Sequence, residues 1–297
     1  MSILPIIDSE GCTGCGMCVL DCPRRILALE DGRAKLVAEN CMLCAHCYCV
    51  CPEDCITFTP GTLSETVLKT IDCDAHGPSS QVMDPAAFVK FARSRRSVRR
   101  FKDTPVPREV ISDLIEFAAT APSGTNCKDW EFSVVEGRER VSVLAGMMCA
   151  FFARLNRMAA SPLIRAMSMP FAGGKLYRYR RERAPRVAQI LSQAREGNDL
   201  FLWNAPAVVA IHSGPSGSTP VEDAQLAAYN IALLAHALGI GTCFIGYARE
   251  AINRDRKIRR HLGIPESNRA HAVIALGYRD VEYLRLPLNK PHKAVWA

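Results

Sequence analysis

Apolar residues recur at helical spacing through Val110, Ile111, Leu114, Ile115, Ala118 and Ala119 before Pro122-Ser123-Gly124, which predicts a helix over Val110–Ala121. Glu131–Val135 follows as a short predicted strand. The best-bounded helix is predicted from Pro220 to about Leu238: Thr219 suits the N-cap, Pro220 the first helical position, Glu222 completes a capping box and Gly239 is the stop. Apolar residues lie on nearly all its sides, so burial within the domain or across a dimer interface is expected. Its polar interruptions, Asn230 and His236, are expected to satisfy buried hydrogen bonds. Unbroken apolar runs at Ala207–Ile211 and Ala272–Leu276 predict buried strands, and the fold class is α+β.

A chain of 297 residues suggests two domains and can bury about three quarters of its unfolded surface. With 48% hydrophobic and 23% charged residues, collagen-like, low-complexity and wholly disordered chains are excluded. No uninterrupted apolar run approaches a membrane span, and Met1–Glu10 lacks a basic leader followed by an apolar segment. A cytoplasmic protein with no membrane partner is the expectation. Thr59–Asp84, with its Gly, Pro and Ser, reads as a connector with one helical turn at Val67–Ile71. The expected organisation is therefore a domain at 1–60, a linker at 61–84 and a domain at 85–297. Cys73 and His76 in the linker are isolated, which is weak evidence for a metal.

Ten of the fourteen cysteines lie between Cys12 and Cys55, a clustering that points to metal rather than disulfides. Charge divides at the same place. Residues 1–60 carry a net −4 and the remainder +11, so the two parts could dock electrostatically and the basic part calls for an anion. Cys12, Cys15, Cys18 and Cys22, followed by Pro23, recur 29 residues on as Cys41, Cys44, Cys47 and Cys51, followed by Pro52. Paired C-x2-C motifs also make zinc ribbons, but zinc takes four ligands rather than two interlocked sets. Residues 8–59 resemble a bacterial-type ferredoxin with two 4Fe-4S clusters. The resemblance implies that Cys12, Cys15, Cys18 and Cys51 hold one cluster and Cys41, Cys44, Cys47 and Cys22 the other. Cys49 and Cys55 align with the aliphatic Leu20 and Ile26, so both are expected in the core. His46 aligns with Met17 and is expected to pack or to hydrogen-bond a sulfide.

Ala92–Phe101 carries five arginines, with Arg95, Arg96, Ser97 and Arg99 packed together. A solvated basic face and nucleic-acid binding are the alternatives, and neither accounts for the interleaved Ser and closing Phe. Arginine forks and a hydroxyl suit a single phosphate. Arg95-Arg96-Ser97-Val98-Arg99-Arg100-Phe101 resembles the amino-terminal signature of the nitroreductase family of FMN enzymes. Three further stretches are similar to family segments in the same order: Ala121–Trp130, Leu238–Gly246 and Pro287–Lys290. The resemblance spans residues 92–293. It implies a nitroreductase-like fold, an antiparallel-rich central sheet surrounded by helices, in an intertwined homodimer with FMN at the interface. Arg95, Arg96, Ser97, Arg99 and Lys290 would bind the phosphate and ribityl end. Pro122, Ser123 and Asn126 would approach the flavin from the other subunit, and Ile245 and Gly246 would face the ring. Lys128-Asp129 stands where the family has Gln-Pro, and Leu288 where members often have a second basic residue. Phe151–Arg186 falls where the family's substrate lid sits, and its basic run from Lys175 could cover an anionic substrate, dock the ferredoxin part or form a solvated face.

Dinucleotide, Walker, zincin and hydrolase motifs do not occur, nor do nucleic-acid modules. The expectation is an oxidoreductase in which 4Fe-4S clusters and FMN exchange electrons to reduce a small aromatic or conjugated acceptor, such as a nitroaromatic or quinone. NAD(P)H or an external ferredoxin would be the donor, and no protein acid or base is assigned. Alternatives are a redox sensor or electron-transfer adaptor, and reductive dehalogenation or flavin modification on the same fold.

Overall fold

The computed structural model describes residues 3–64, 66–72 and 83–296. The amino-terminal part consists of two antiparallel ribbons, β1 (Ile6–Ile7) with β4 (Ile56–Thr57) and β2 (Leu27–Glu30) with β3 (Arg33–Leu36), and two one-turn helices, α1 (Met17–Leu20) and α2 (His46–Cys49). Its small core gathers Cys18, Ile26, Leu27, Ala34, Cys55 and Ile56. The sequence repeat is also a backbone repeat. Gly14 and Leu43, Gly16 and Ala45, and Arg25 and Asp54 are pairs one repeat apart, and all six have positive φ. Gly14 is required by packing as well, because a Cβ there would collide with the Gly32 carbonyl.

Two expectations about this segment divide. Cys55 is buried, but Cys49 is exposed, and so is its aligned residue Leu20, at 83%. Alignment with an aliphatic residue was a poor guide because that position faces solvent in both copies. His46 is exposed, with Nδ1 3.5 Å from Asp21 Oδ2.

The larger part is a four-stranded sheet of β5 (Glu131–Glu136), β6 (Ala207–Ser213), β7 (Ile240–Phe244) and β8 (Arg269–Tyr278), ordered β5-β6-β8-β7 with every neighbouring pair antiparallel. Helices cover both faces: α4 (Arg108–Ala118) and α9 (Pro220–Ala237) on one, α5 (Arg138–Ala160), α8 (Ala184–Arg195) and α10 (Gly246–Arg254) on the other. Successive side chains of β6 serve the two cores in turn. Ala207, Val209 and Ile211 pack with α4 and α9, while Val208 and Ala210 pack opposite. Coverage on both faces explains why these antiparallel strands read as unbroken apolar runs. Helix α3 (Pro85–Ser94) leads into the arginine run, and α6 (Pro162–Ala172), α7 (Lys175–Glu182) and α11 (Arg256–His261) complete the chain. Helix α5 has the length and composition to cross a membrane, yet Val141, Leu144, Met148 and Phe152 bury one face of it in the core.

Helix α9 has the expected bounds but not the expected cap. No side chain caps it; the Thr219 hydroxyl donates instead to Asp223 Oδ1, 2.9 Å away. His236 and Asn230 do make hydrogen bonds, His236 Nε2 lying 2.7 Å from Ser94 Oγ and Asn230 donating to the Phe117 carbonyl at 3.4 Å. Residues 66–72 form no helical turn. The Lys69 and Thr70 amides each donate at 2.7 Å to the carboxylate of Asp113, a fully buried residue of α4, and that tether fixes the backbone instead. Cys73 and His76 lie outside the described residues.

Candidate functional site

The arginine run is zipped to the end of the sheet. Val98 N donates to the Thr242 carbonyl at 2.8 Å, Lys102 N to the Tyr278 carbonyl at 2.8 Å and Asp280 N to the Arg100 carbonyl at 2.9 Å. Val98 and Phe101 turn inward, and Arg96, Arg99 and Arg100 outward. Two glycines permit this approach. A Cβ on Gly241 would lie 2.8 Å from three Val98 side-chain atoms, and one on Gly277 2.5 Å from Pro206 and 2.8 Å from Phe101.

Arg95 and Arg96 line a narrow cleft with His236, Thr242, Arg279 and Tyr283. Among the described residues, Arg95, Arg96 and Arg99 have no carboxylate partner, whereas neighbouring Arg100 lies 3.6 Å from Asp280. Grouped guanidinium groups suit an anion held by bidentate bonds, as a phosphate is. Burial, with Arg279 and Arg95 nearby, pushes His236 below its ordinary value, so it adds no charge to the cradle near neutrality. Arg99 also sits 5.6 Å over the ring of Trp203, a neighbour that no sequence motif announced. Ile245 is buried as the N-cap of α10, and Gly246 begins that helix with open space where a side chain would project. The first amides of α10 therefore lack intrahelical partners. Lys290 stands on the exposed carboxy-terminal run, and no ion pair or hydrogen bond among the described residues joins it to the arginines.

The loop carrying Pro122, Ser123 and Asn126 is held elsewhere. Asp223, buried on the first turn of α9, accepts from Gly124 N at 2.9 Å and lies 3.6 Å from Cys127 Sγ. Ser123 Oγ accepts from Lys128 N at 3.0 Å. A side chain at Gly124 would strike the hydroxyls of Ser218 and Thr219, so glycine sets how closely the loop approaches α9. Asp223 was legible only as an acidic residue in a first helical turn. Asn126, at φ 56°, spends its side-chain amide on the amino-terminal part: Nδ2 donates to the Met42 carbonyl at 3.1 Å and to the Leu43 carbonyl at 2.9 Å. This direct tie between the two parts is made by neutral groups. None of the ion pairs among the described residues crosses between the two parts.

Met42 and Leu43 belong to a cysteine loop. Cys22, Cys41, Cys44 and Cys47 line one cavity, and Cys12, Cys15, Cys18 and Cys51, together with Cys55, line another. The cysteines are thus sorted in the crossed pattern that the ferredoxin resemblance implies. Among the described residues, no three Cys, His, Asp or Glu side chains converge as one metal ion requires. Four thiols lining one cavity are the donor type that a 4Fe-4S cluster takes. Amides point at the sulfurs, Ala34 N lying 3.5 Å from Cys12 Sγ and Leu43 N 3.4 Å from Cys41 Sγ. The Ala34 and Gly14 amides push the Cys12 thiol down, whereas burial pushes Cys18 up and Cys47 up to about 11. Thiols of this kind ionise together only against a cationic centre. Cys55, 3.4 Å from Cys51, is pushed up to about 12 by burial and by that neighbour, in keeping with a core thiol.

The region from Phe151 to Arg186 is the second half of α5, then α6, α7 and the start of α8. Helix α6 exposes Leu163, Met167 and Phe171, while Arg165 is buried, donating to the Ala159 and Ala160 carbonyls with its guanidinium 5.2 Å over Tyr177.

Residues 92–278 match the nitroreductase family, and residues 4–52 a 4Fe-4S dicluster domain. A 4-nitrobenzoate reductase of Nocardioides sp. is 27% identical over 210 residues, covering 66% of this chain and 82% of that protein. An iodotyrosine deiodinase of Haliscomenobacter hydrossis is 38% identical over 58 residues, 20% of this chain and 26% of that protein. A nitroreductase with bound FMN from Desulfitobacterium hafniense has a similar fold, with a TM-score of 0.50 at 23% identity, covering 73% of this chain and all of that one.

Proposed function

The chain belongs to the nitroreductase family, and from that premise we propose that it is an FMN-dependent oxidoreductase whose two 4Fe-4S clusters exchange electrons with the flavin to reduce a small aromatic or conjugated acceptor. The hydrogen bonds from Asn126 to the Met42 and Leu43 carbonyls carry this reading, because they tie a cysteine loop to the loop that meets the flavin in the family arrangement. Bound in such a protein, FMN converts between one-electron and hydride chemistry, and the clusters supply single electrons.

The chain's own residues divide the remaining work. Arg95, Arg96, Ser97, Arg99 and Lys290 hold the phosphate and ribityl end. Pro122, Ser123 and Asn126 approach the flavin of the partner subunit. The amides around Ile245 and Gly246 face the ring, where N–H donors favour added negative charge. The eight cysteines hold the clusters in the two crossed sets, and a reducing cytoplasm suits their thiolates.

The test is anaerobic stopped-flow of the holoprotein against NADH, NADPH and a reduced external ferredoxin, following flavin and cluster bands separately, then mixing with a nitroaromatic or quinone. Both bands should bleach with at least one donor and return on adding acceptor. Bleaching of one band without the other would overturn electron exchange. Reoxidation only by partner proteins would make the chain an electron-transfer adaptor instead.

A further inference from the structure

The amino-terminal part contains an internal control, since its two cysteine loops are copies with the same backbone. Gly14 and Leu43 occupy equivalent positions with φ of 72° and 54°, and Gly16 and Ala45 with 76° and 58°. Among the described residues, only the second loop hydrogen-bonds to the larger part. Thr13 and Cys15 of the first loop are exposed, whereas their equivalents Met42 and Cys44 are half-buried. The second loop also keeps Leu43 and Ala45 in a conformation that glycine adopts at no steric cost and other residues adopt with strain. In that conformation the successive carbonyls of Met42 and Leu43 both accept from one side-chain amide, that of Asn126. Asn126 is itself left-handed, at φ 56°, and its loop is held from behind by Asp223.

We infer that Asn126 is a positioning residue that fixes the Cys41–Cys44 loop against the flavin loop. The cluster site of Cys22, Cys41, Cys44 and Cys47 is thereby the inner one, facing the flavin, and the site of Cys12, Cys15, Cys18 and Cys51 is the outer one that meets an external donor. The inference rests on the proposed electron exchange and adds its order: donor, outer site, inner site, flavin. Each passage moves one electron, oxidising the site that gives it and reducing the site that takes it. A reduced ferredoxin is the external one-electron donor.

The experiment compares anaerobically reconstituted holoprotein with Asn126→Gly, which keeps the left-handed backbone and removes the amide, and Asn126→Asp, which keeps the shape but sets a carboxylate against two carbonyls. Two lost hydrogen bonds correspond to about a thirtyfold fall in the docked-to-undocked ratio. Hydrogen–deuterium exchange should accelerate by up to about that factor in residues 41–47 and stay unchanged in residues 12–18. Flavin reduction by reduced ferredoxin, normalised to flavin and iron content, should slow in both variants. Exchange that is unchanged, or that rises equally in both loops, overturns the positioning role. So does loss of flavin with residues 41–47 protected as before, which would make Asn126 a flavin ligand only. For the order of sites, Cys44→Ala should stop flavin reduction by reduced ferredoxin while the outer cluster is still reduced. Flavin reduction that continues in this variant overturns the order. If no cluster reduces flavin in the unaltered protein, the electron-exchange reading fails, and the exchange comparison still decides whether Asn126 fastens the loop.

Discussion

Replacing Arg95 and Arg99 together by alanine tests the phosphate cradle. A charge-assisted hydrogen bond contributes about 1.5 to 3 kcal/mol, with exposed groups at the lower end because water and salt screen them. Arg95 is half-buried beside His236 and Arg279, and Arg99 is exposed over Trp203. Taking about 3 kcal/mol for the first and about 1.5 for the second, the double variant should bind FMN about two thousandfold more weakly. Flavin fluorescence titration of apoprotein measures that change directly. Iron content should not change, because the cysteine cavities are lined by residues of the amino-terminal part alone. Arg100→Ala is the internal control: it belongs to the same run but lies 3.6 Å from Asp280, so its removal should shift FMN affinity by less than about threefold. The cradle assignment is refuted if the double variant retains flavin like the parent, or if Arg100→Ala loses as much.

Two further outcomes follow from the packing around the same sheet. Gly241→Ala places a methyl 2.8 Å from the buried Val98 side chain, so it should cost about 1 to 3 kcal/mol of stability and displace the arginine run. A lower melting temperature together with lower flavin content would be observed, and wild-type values for both would contradict the close approach. His212 and His271, at the end of the sheet, are both pushed below the ordinary histidine value by burial. The folded protein then binds fewer protons than the unfolded chain just below pH ~6.5, so stability is complete above that pH and is lost as the pH falls towards the lowered values. Melting temperature should drop between about pH 7 and pH 5, by less in His212→Gln than in the parent; an equal drop in both would remove His212 as a source.

Local patterns in the chain marked the elements well. The apolar runs at Ala207–Ile211 and Ala272–Leu276 lie inside β6 and β8, and the helix expected at Val110–Ala121 is α4, shifted to Arg108–Ala118. The cysteine repeat was readable for the same reason, since ligand spacing is a property of short stretches of chain. The crossed sorting of the cysteines was implied by the ferredoxin resemblance, not by the spacing alone, and the two cavities are lined by those two sets, with Cys55 added to one. Glu222 misled because a capping box is a local pattern, and a distant demand, the Gly124 amide, had recruited Asp223 and with it Thr219.

Contacts between residues far apart in the chain had no such signature. Asn126 sits in a motif that points to a flavin, and nothing near it in sequence indicates that its amide reaches Met42 and Leu43, more than eighty residues away. The tether of Lys69 and Thr70 to Asp113 was equally silent, and the charge asymmetry gave no sign of the neutral amide-to-carbonyl tie that joins the two parts among the described residues. Spacing, periodicity and turn chemistry are set within a few residues and survive reading in one dimension. Which of two equivalent cysteine loops is covered depends on how one folded surface meets another, which the spacing within either loop does not record.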